Sequence, residues 1–340
     1  MKVTRRGIIA GIAVGALFVV LLAVPLFAPH VNLAVSIWTD VLSFAIAAMA
    51  VNLLIGYTGV LPFGNAAFFG LGAYGAGLTI QYWHVGFFAS IALGVVASIA
   101  GGLLIGPFLL RRRGIYFALL MIAFGQIFFF IADRFTDITG GEDGMTFARP
   151  AIEWSKTVIS DDHLYLAMLL LFAIVTVAFW LLVRSPFGRS LVAIKENETR
   201  ARYLGMNTDR FIFVALLISA AIEGLAGACY TLSIMNADPS RLDFHESGNI
   251  VMMTILGGSG TILGPFIGSL IFVIAQDVLS SALPWWQIPF GAVFVICVLF
   301  FPKGILGTIL DVFEKRRGGF GYEARDTLHG TVVSEREIQP

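Results

Sequence analysis

Uninterrupted apolar runs of about twenty residues constrain this chain more than any other feature it has. They cover Ile8–Ala28, Leu33–Ile55, Asn65–Trp83, Phe87–Leu110, Ile115–Ala132, Leu164–Val183 and Phe211–Met235, then a broken stretch, Asn249–Leu283, and a last run, Ile288–Phe301. A helix of about 20 apolar residues crosses the hydrocarbon core of a bilayer, where every backbone polar group must find its partner within the protein. The strands of a transmembrane barrel alternate apolar and polar residues, a pattern these runs lack, so the expected class is an all-α polytopic bundle. Composition agrees: 58% of the 340 residues are apolar and 13% charged, against about 45–50% and about 25% in soluble domains. No polar stretch is long enough to build a separate soluble domain. Cys229 and Cys297 both fall inside apolar runs and read as small hydrophobes.

Charge sets the expected topology. Lys2, Arg5 and Arg6 precede the first run, which lacks a cleavage signature and reads as a retained helix spanning residues 1–32. Arg111–Arg113, the segment 184–210 and the segment after Lys303 supply the remaining basic clusters; together with the N-terminal group they hold 18 of the 22 Lys and Arg. The segment 133–162 is acidic on balance. Basic loops stay on the cytoplasmic side, so both termini are expected there. Parity then requires Asn249–Leu283 to cross an even number of times, giving about ten membrane elements, some of them broken or re-entrant. The membrane-embedded core would run over 33–310, with 311–340 a polar, mixed-charge tail expected to be disordered.

Two uncharged Gly/Pro breaks look alike: Gly56-Tyr57-Thr58-Gly59-Val60-Leu61-Pro62-Phe63-Gly64-Asn65 and Leu256-Gly257-Gly258-Ser259-Gly260-Thr261-Ile262-Leu263-Gly264-Pro265. Irregular backbone at membrane depth survives only where protein or water satisfies it, and transporters use such breaks in their paths. Two ordinary cytoplasmic turns would give the same sequence. Small residues recur at helical spacing in Gly260, Gly264 and Gly268, in Gly102 and Gly106, and in Ala220 and Gly224. Such faces let helices pack closely in lipid.

The segment 184–210 is the sizeable polar piece with alternating charge. Ser185-Pro186 starts a helix, with proline at its first position, and Gly205 is a plausible stop, so one short helix along the cytoplasmic face is expected. SPFGRSLVAIKENETRARYLGMN resembles the cytoplasmic loop of the LivM-like membrane permeases of branched-chain amino acid ATP-binding-cassette importers. GYTGVLPFGNAAFFGLGAYGAG, RRRGIYFALLMIAFGQI, TGGEDGM, ISAAIEGLAGACY, ILGGSGTILGPFIGSL and FPKGILG match the same family in the same order, from about Asn52 to Gly307. The resemblance implies a translocation path shared with a second permease subunit, two separate ATP-binding subunits on the inside, a periplasmic substrate-binding protein on the outside, and the inner (plasma) membrane of a bacterium. It assigns ATPase coupling to Pro186, Phe187, Gly188, Arg189, Glu196, Glu198, Arg200 and Gly205. Thr199, Arg200 and Ala201 stand where importers carry E-A-A, so the glutamate is missing and no particular salt bridge carries over.

The chain has no G-x-x-x-x-G-K-[S/T] phosphate loop, so its energy must come from another chain or from a gradient. No cofactor or metal site is expected: His30, His84, His163, His245 and His329 are scattered. Glu223 sits in the middle of Phe211–Met235, where a charge is costly and faces protein or water; it is either protonated and bonded between helices or part of the path. The expected path residues are Asn65, Ser259, Thr261 and Glu223. Asp40 and Asp277 lie nearer run ends and read as more easily wetted. The resemblance favours an importer permease, not an enzyme, for branched-chain amino acids or a related small polar solute; urea, short amides and aromatic acids stay open as cargo. An ion-coupled secondary transporter is the reading from another class.

Overall fold

A computed structural model describes residues 35–151 and 160–282, together with 21, 285, 287–289, 291–292, 295 and 304–308. The expected first helix apart from Leu21, most of the last run Ile288–Phe301, the tail 311–340 and Cys297 lie outside the described residues, and with them the expected positions of the termini. The helices are α1 (Val35–Asn52), α2 (Ala66–Trp83), α3 (Phe87–Leu109), α4 (Ile115–Arg134), α5 (Thr136–Thr139), α6 (Asp161–Arg184), α7 (Pro186–Glu196), α8 (Glu198–Tyr203), α9 (Thr208–Ile234), α10 (Phe244–Gly257) and α11 (Gly264–Ala282). Two two-residue strands, β1 (Met145–Thr146) and β2 (Asn236–Ala237), pair antiparallel and tie the acidic loop to the end of α9.

Six described helical stretches are long and apolar enough to cross a membrane: Val35–Thr58, Phe87–Leu109, Ile115–Arg134, Asp161–Arg184, Thr208–Ile234 and Gly264–Ser281. The protein is an all-α polytopic membrane bundle. The α2 helix, 18 residues long like Gly264–Ser281, gives eight of its positions to glycine and alanine. That composition suits its place. A Cβ at Gly72 would stand 2.2 Å from the Gly224 carbonyl oxygen, and a Cβ at Gly227 only 1.9 Å from that of Phe69, so α2 and α9 touch backbone to backbone. Gly102 and Gly106 of α3 instead make room for the side chains of Leu217, Ala220 and Phe213 of α9. The expected ladder also packs: Gly264 and Gly268 lie against the backbone of Gly257 and Met253, seating α11 on α10.

The α1 helix is the axis of the bundle. Nearly all of its apolar window is buried, and its central run from Val41 to Leu54 is inaccessible or nearly so. Its last turn widens into a π-helical turn, Leu53–Thr58, closed by Gly59 at φ +74°. Such a turn inserts a residue and releases carbonyls from the regular ladder.

The helix α10 has 14 residues, so at about 1.5 Å per residue it is roughly 21 Å long, short of a core about 30 Å thick. It starts deep within the bundle. Asp243, its N-cap, accepts a hydrogen bond of 3.0 Å from Gln126, midway along α4. Leu242 packs onto Gly70 of α2, and Ser247 accepts the amide hydrogen of Ala66 at the start of α2. The segment from Asn236 to Asp243 therefore folds back into the bundle before α10 begins.

Candidate translocation and coupling site

The two breaks that look alike in the sequence meet in space. A Cβ at Gly56 would lie 2.6 Å from the Gly260 nitrogen, so the two chains are in backbone contact there. Asn52 clamps them: its Oδ1 accepts from the Gly260 N–H at 2.7 Å, and its Nδ2 donates to the Thr261 carbonyl at 2.7 Å. The Tyr57 hydroxyl donates to the Gly260 carbonyl at 2.9 Å. Thr261 bonds the Gly258 carbonyl and accepts from the Gly264 N–H, so its side chain starts α11. Ser259 is exposed at the turn. Protein groups thus satisfy much of the irregular backbone at this junction.

The segment 184–210 docks on the same junction. Ser185 caps α7 by accepting from Gly188 N–H, with Pro186 at the first position, as expected. Gly188 is buried where α6 turns into α7; a Cβ would lie 2.4 Å from the Val183 carbonyl oxygen. Phe187 stacks on Phe211 of α9, with ring centroids 5.7 Å apart. The expected single helix is instead two. Asn197 adopts an extended backbone and caps α8 by accepting from Arg200 N–H. An asparagine offers the chain this local alternative to helix, which is why the run divides there. Gly205, at φ +85°, ends α8; its N–H bonds the Arg202 carbonyl and that of Met206 the Ala201 carbonyl, the paired bonds of a Schellman stop. Arg189, Glu196 and Arg200 are exposed.

Lys195 makes the long-range connection. Its ammonium donates to the Gly56 carbonyl at 2.7 Å, and its stem lies against Gly59. The helix α7 is thereby tied to the first break, and through Gly56 to the second. Glu198 anchors α8 to its surroundings. It accepts from Arg113 at 3.1 Å, from Arg202 at 2.9 Å and from the Thr208 hydroxyl at 3.0 Å, while both arginines also pair with Asp209. Partial burial pushes the Glu198 carboxyl up, but Arg113 and the hydrogen bonds from Thr208, Arg113 and Arg202 outweigh it and hold the carboxyl below its ordinary value. Tyr203 and Leu204, 87% and 78% exposed, project from the end of α8 and form an apolar knob amid charge.

Of the four expected path residues, two lie in the bundle interior and two at the break junction. Asn65 and Glu223 are fully buried and lie beside each other, but neither polar atom of Asn65 nor Oε2 of Glu223 has a hydrogen-bond partner. The Ser219 hydroxyl lies 3.0 Å from the Ala50 carbonyl and 3.4 Å from Glu223 Oε1. Ser259 and Thr261 belong to the break junction. Along α1 the contacts are ordered: Thr254 reaches the Ala48 carbonyl, Ser219 that of Ala50, the second break Asn52, and Lys195 Gly56. Lys195, Arg113, Asn52 and Asp209 are absent from the sequence-based expectation. The one signal that bears on them is the run of charges around 195–210; their partners are far away in sequence.

Comparison with known proteins places this architecture. Residues 33–301 match the family model of branched-chain amino acid transport system permease components. The chain belongs to this family. The chain is 28% identical over 295 residues to the high-affinity branched-chain amino acid transport system permease protein LivM of Salmonella typhimurium, covering 80% of this chain and 69% of that protein. The LivM of Escherichia coli K12 is similar to the same extent. The autoinducer 2 import system permease protein LsrC of Photorhabdus laumondii is 32% identical over 148 residues, 42% of this chain and 44% of that protein. No solved structure matches. The protein is accordingly an integral membrane permease component of a transport system, in a family of transport proteins rather than of enzymes.

Proposed function

We propose that the chain is one permease subunit of an ATP-binding-cassette importer and forms half of the path for a branched-chain amino acid or a related small polar solute. A second permease subunit would complete the path. Two separate ATP-binding subunits would supply energy, and a periplasmic binding protein would deliver the cargo. The chain would sit in the inner membrane of a bacterium with α7 and α8 on the cytoplasmic side. The observation that carries this reading is the bond from Lys195 of α7 to Gly56 in the first break. A push on the exposed face of α7–α8 reaches the interlocked breaks without passing through a flexible loop. Pro186, Phe187, Gly188 and Gly205 hold the segment's shape; Arg189, Glu196 and Arg200, with the Tyr203–Leu204 knob, face outward toward the ATP-binding subunits. Glu198 ties the segment to Arg113 and Asp209.

Mild-detergent purification of the tagged chain from its own membrane tests this. The expected result is co-purification of a second permease and one or two ATPases, with ATP hydrolysis in the preparation. A chain that comes down alone, hydrolyses nothing and takes up solute only along an ion gradient would overturn it.

A further inference from the structure

A second polar feature lies near the other end of α1, away from the breaks. A pocket of about 190 Å³ is bordered by Asp40 and Phe44 of α1, Tyr230 of α9, Arg241 of the folded-back segment, and Glu246 and Met253 of α10. Drug-sized ligands occupy roughly 300–1,000 Å³, so its occupant is a smaller molecule. Arg241 is central. Its Nε donates toward Asp238 at 3.4 Å and its Nη1 to Glu246 at 3.2 Å, and its guanidinium carbon lies 4.9 Å from the Tyr230 ring centre. Nη2 is left with no bond among the described residues, so one edge of the fork has donors to spare. Glu246 is 8% exposed and spends its oxygens on Arg241 and Asn249. Across the pocket, Oδ1 of Asp40 is buried with no hydrogen-bond partner.

A donor-bearing guanidinium and an acceptor-bearing carboxylate thus face one small cavity, each incompletely used, with apolar walls from Phe44 and Met253. Glu246 and Oδ1 of Asp40 are buried, and buried charged groups in a membrane bundle are costly and mark pathways. The acids outnumber the single arginine, so a simple anion is repelled. An uncharged amide could bond to both groups but would bring no countercharge to Asp40.

We infer that this pocket is a transit site for a small zwitterion with an apolar side chain: Arg241 takes its carboxylate, Asp40 its ammonium, and Phe44 and Met253 its side chain. The inference rests on the importer-permease reading above and adds to it a site and a charge requirement.

The test uses the intact complex, purified from its membrane and reconstituted, with a diazirine analogue of leucine as photoreactive probe. Adducts are expected on the peptides carrying Phe44, Tyr230 or Met253. Unlabelled L-leucine should suppress them, whereas leucinamide and 4-methylpentanoate, each lacking one of the two charges, should compete about tenfold or more weakly. Asp40→Asn and Arg241→Gln should each cut labelling by about tenfold or more, with Arg241→Lys restoring part of it. Elution as an assembled complex identifies variants that have simply failed to fold, and Asp40→Asn, which keeps shape, carries the test if Arg241→Gln is lost. Adducts confined to other peptides overturn the pocket. So does equal competition by leucinamide, or ATP-driven uptake of urea without uptake of leucine; each leaves the permease reading standing. Absence of any ATPase in the complex overturns the permease reading itself.

Discussion

The two ends of α1 solve the same problem in opposite ways. At the end that carries Gly56, irregular backbone from two breaks is closed on itself by Asn52, Tyr57 and Lys195, and no acid takes part. At the end that carries Asp40, charged side chains gather around a cavity and keep polar capacity in reserve. A junction whose groups are already paired transmits displacement; a pocket with groups unpaired awaits a ligand. Glu223 lies between the two, buried beside Asn65 with Oε2 left without a hydrogen-bond partner.

Substitutions that break the junction should have the largest effect. Gly56→Val would drive a side chain into Asn52 and into the Gly260 backbone. Overpacking of this kind costs about 1–3 kcal/mol, and here it also separates the breaks, so a clear fall in the thermal midpoint and loss of uptake are expected. Asn52→Ala removes two hydrogen bonds to the second break. At about 1 kcal/mol each, it should lower the midpoint by no more than Gly56→Val while still reducing uptake.

Smaller effects sharpen the contrast. Glu198 is partly exposed within its ion-pair cluster, so Glu198→Gln should cost about 1 kcal/mol, less in high salt. Its folded carboxyl is held below its ordinary 4.5. The stability it adds is therefore present above that value and lost as pH falls through the lowered one, a dependence that Glu198→Gln should abolish in an acid titration of the midpoint. Smallest of all is the expected effect of Glu223→Gln. An amide fits beside Asn65 and Ser219, and removing an ionisable group from mid-membrane is not costly, so uptake and midpoint should stay near wild type. If uptake instead collapses, Glu223 belongs to the path and the division between the ends fails.

Much of this was legible in the sequence, in a particular sense. The apolar runs locate the long helices because a membrane helix is specified locally, residue by residue. Ser185-Pro186 and Gly205 mark the limits of the coupling segment because caps are local too. The two breaks are visible as glycine clusters, but their meeting is not, since Gly56 and Gly260 lie about two hundred residues apart. The pocket was missed for the same reason. Asp40 reads as a wetted helix-end acid, and the segment 236–243 simply falls between two apolar runs. A local hint was present: Asp238, Arg241, Asp243 and Glu246 crowd together just before a helix too short to span. Only the fold turns that charge inward and sets Arg241 opposite Asp40. Asn197, inside the segment expected as one helix, divides it in two and shows that one polar side chain can outweigh a favourable run.

The central claim is that force enters through α7 and reaches the breaks through Lys195. The most direct measurement compares wild type with Lys195→Met in proteoliposomes that contain the whole complex, following ATP hydrolysis and cargo uptake in the same sample. The account predicts that hydrolysis continues at close to the wild-type rate while uptake per ATP falls severalfold, because the methionine keeps the stem against Gly59 but cannot hold the Gly56 carbonyl. Unchanged uptake per ATP would contradict it and leave the contact between α7 and the first break as packing alone.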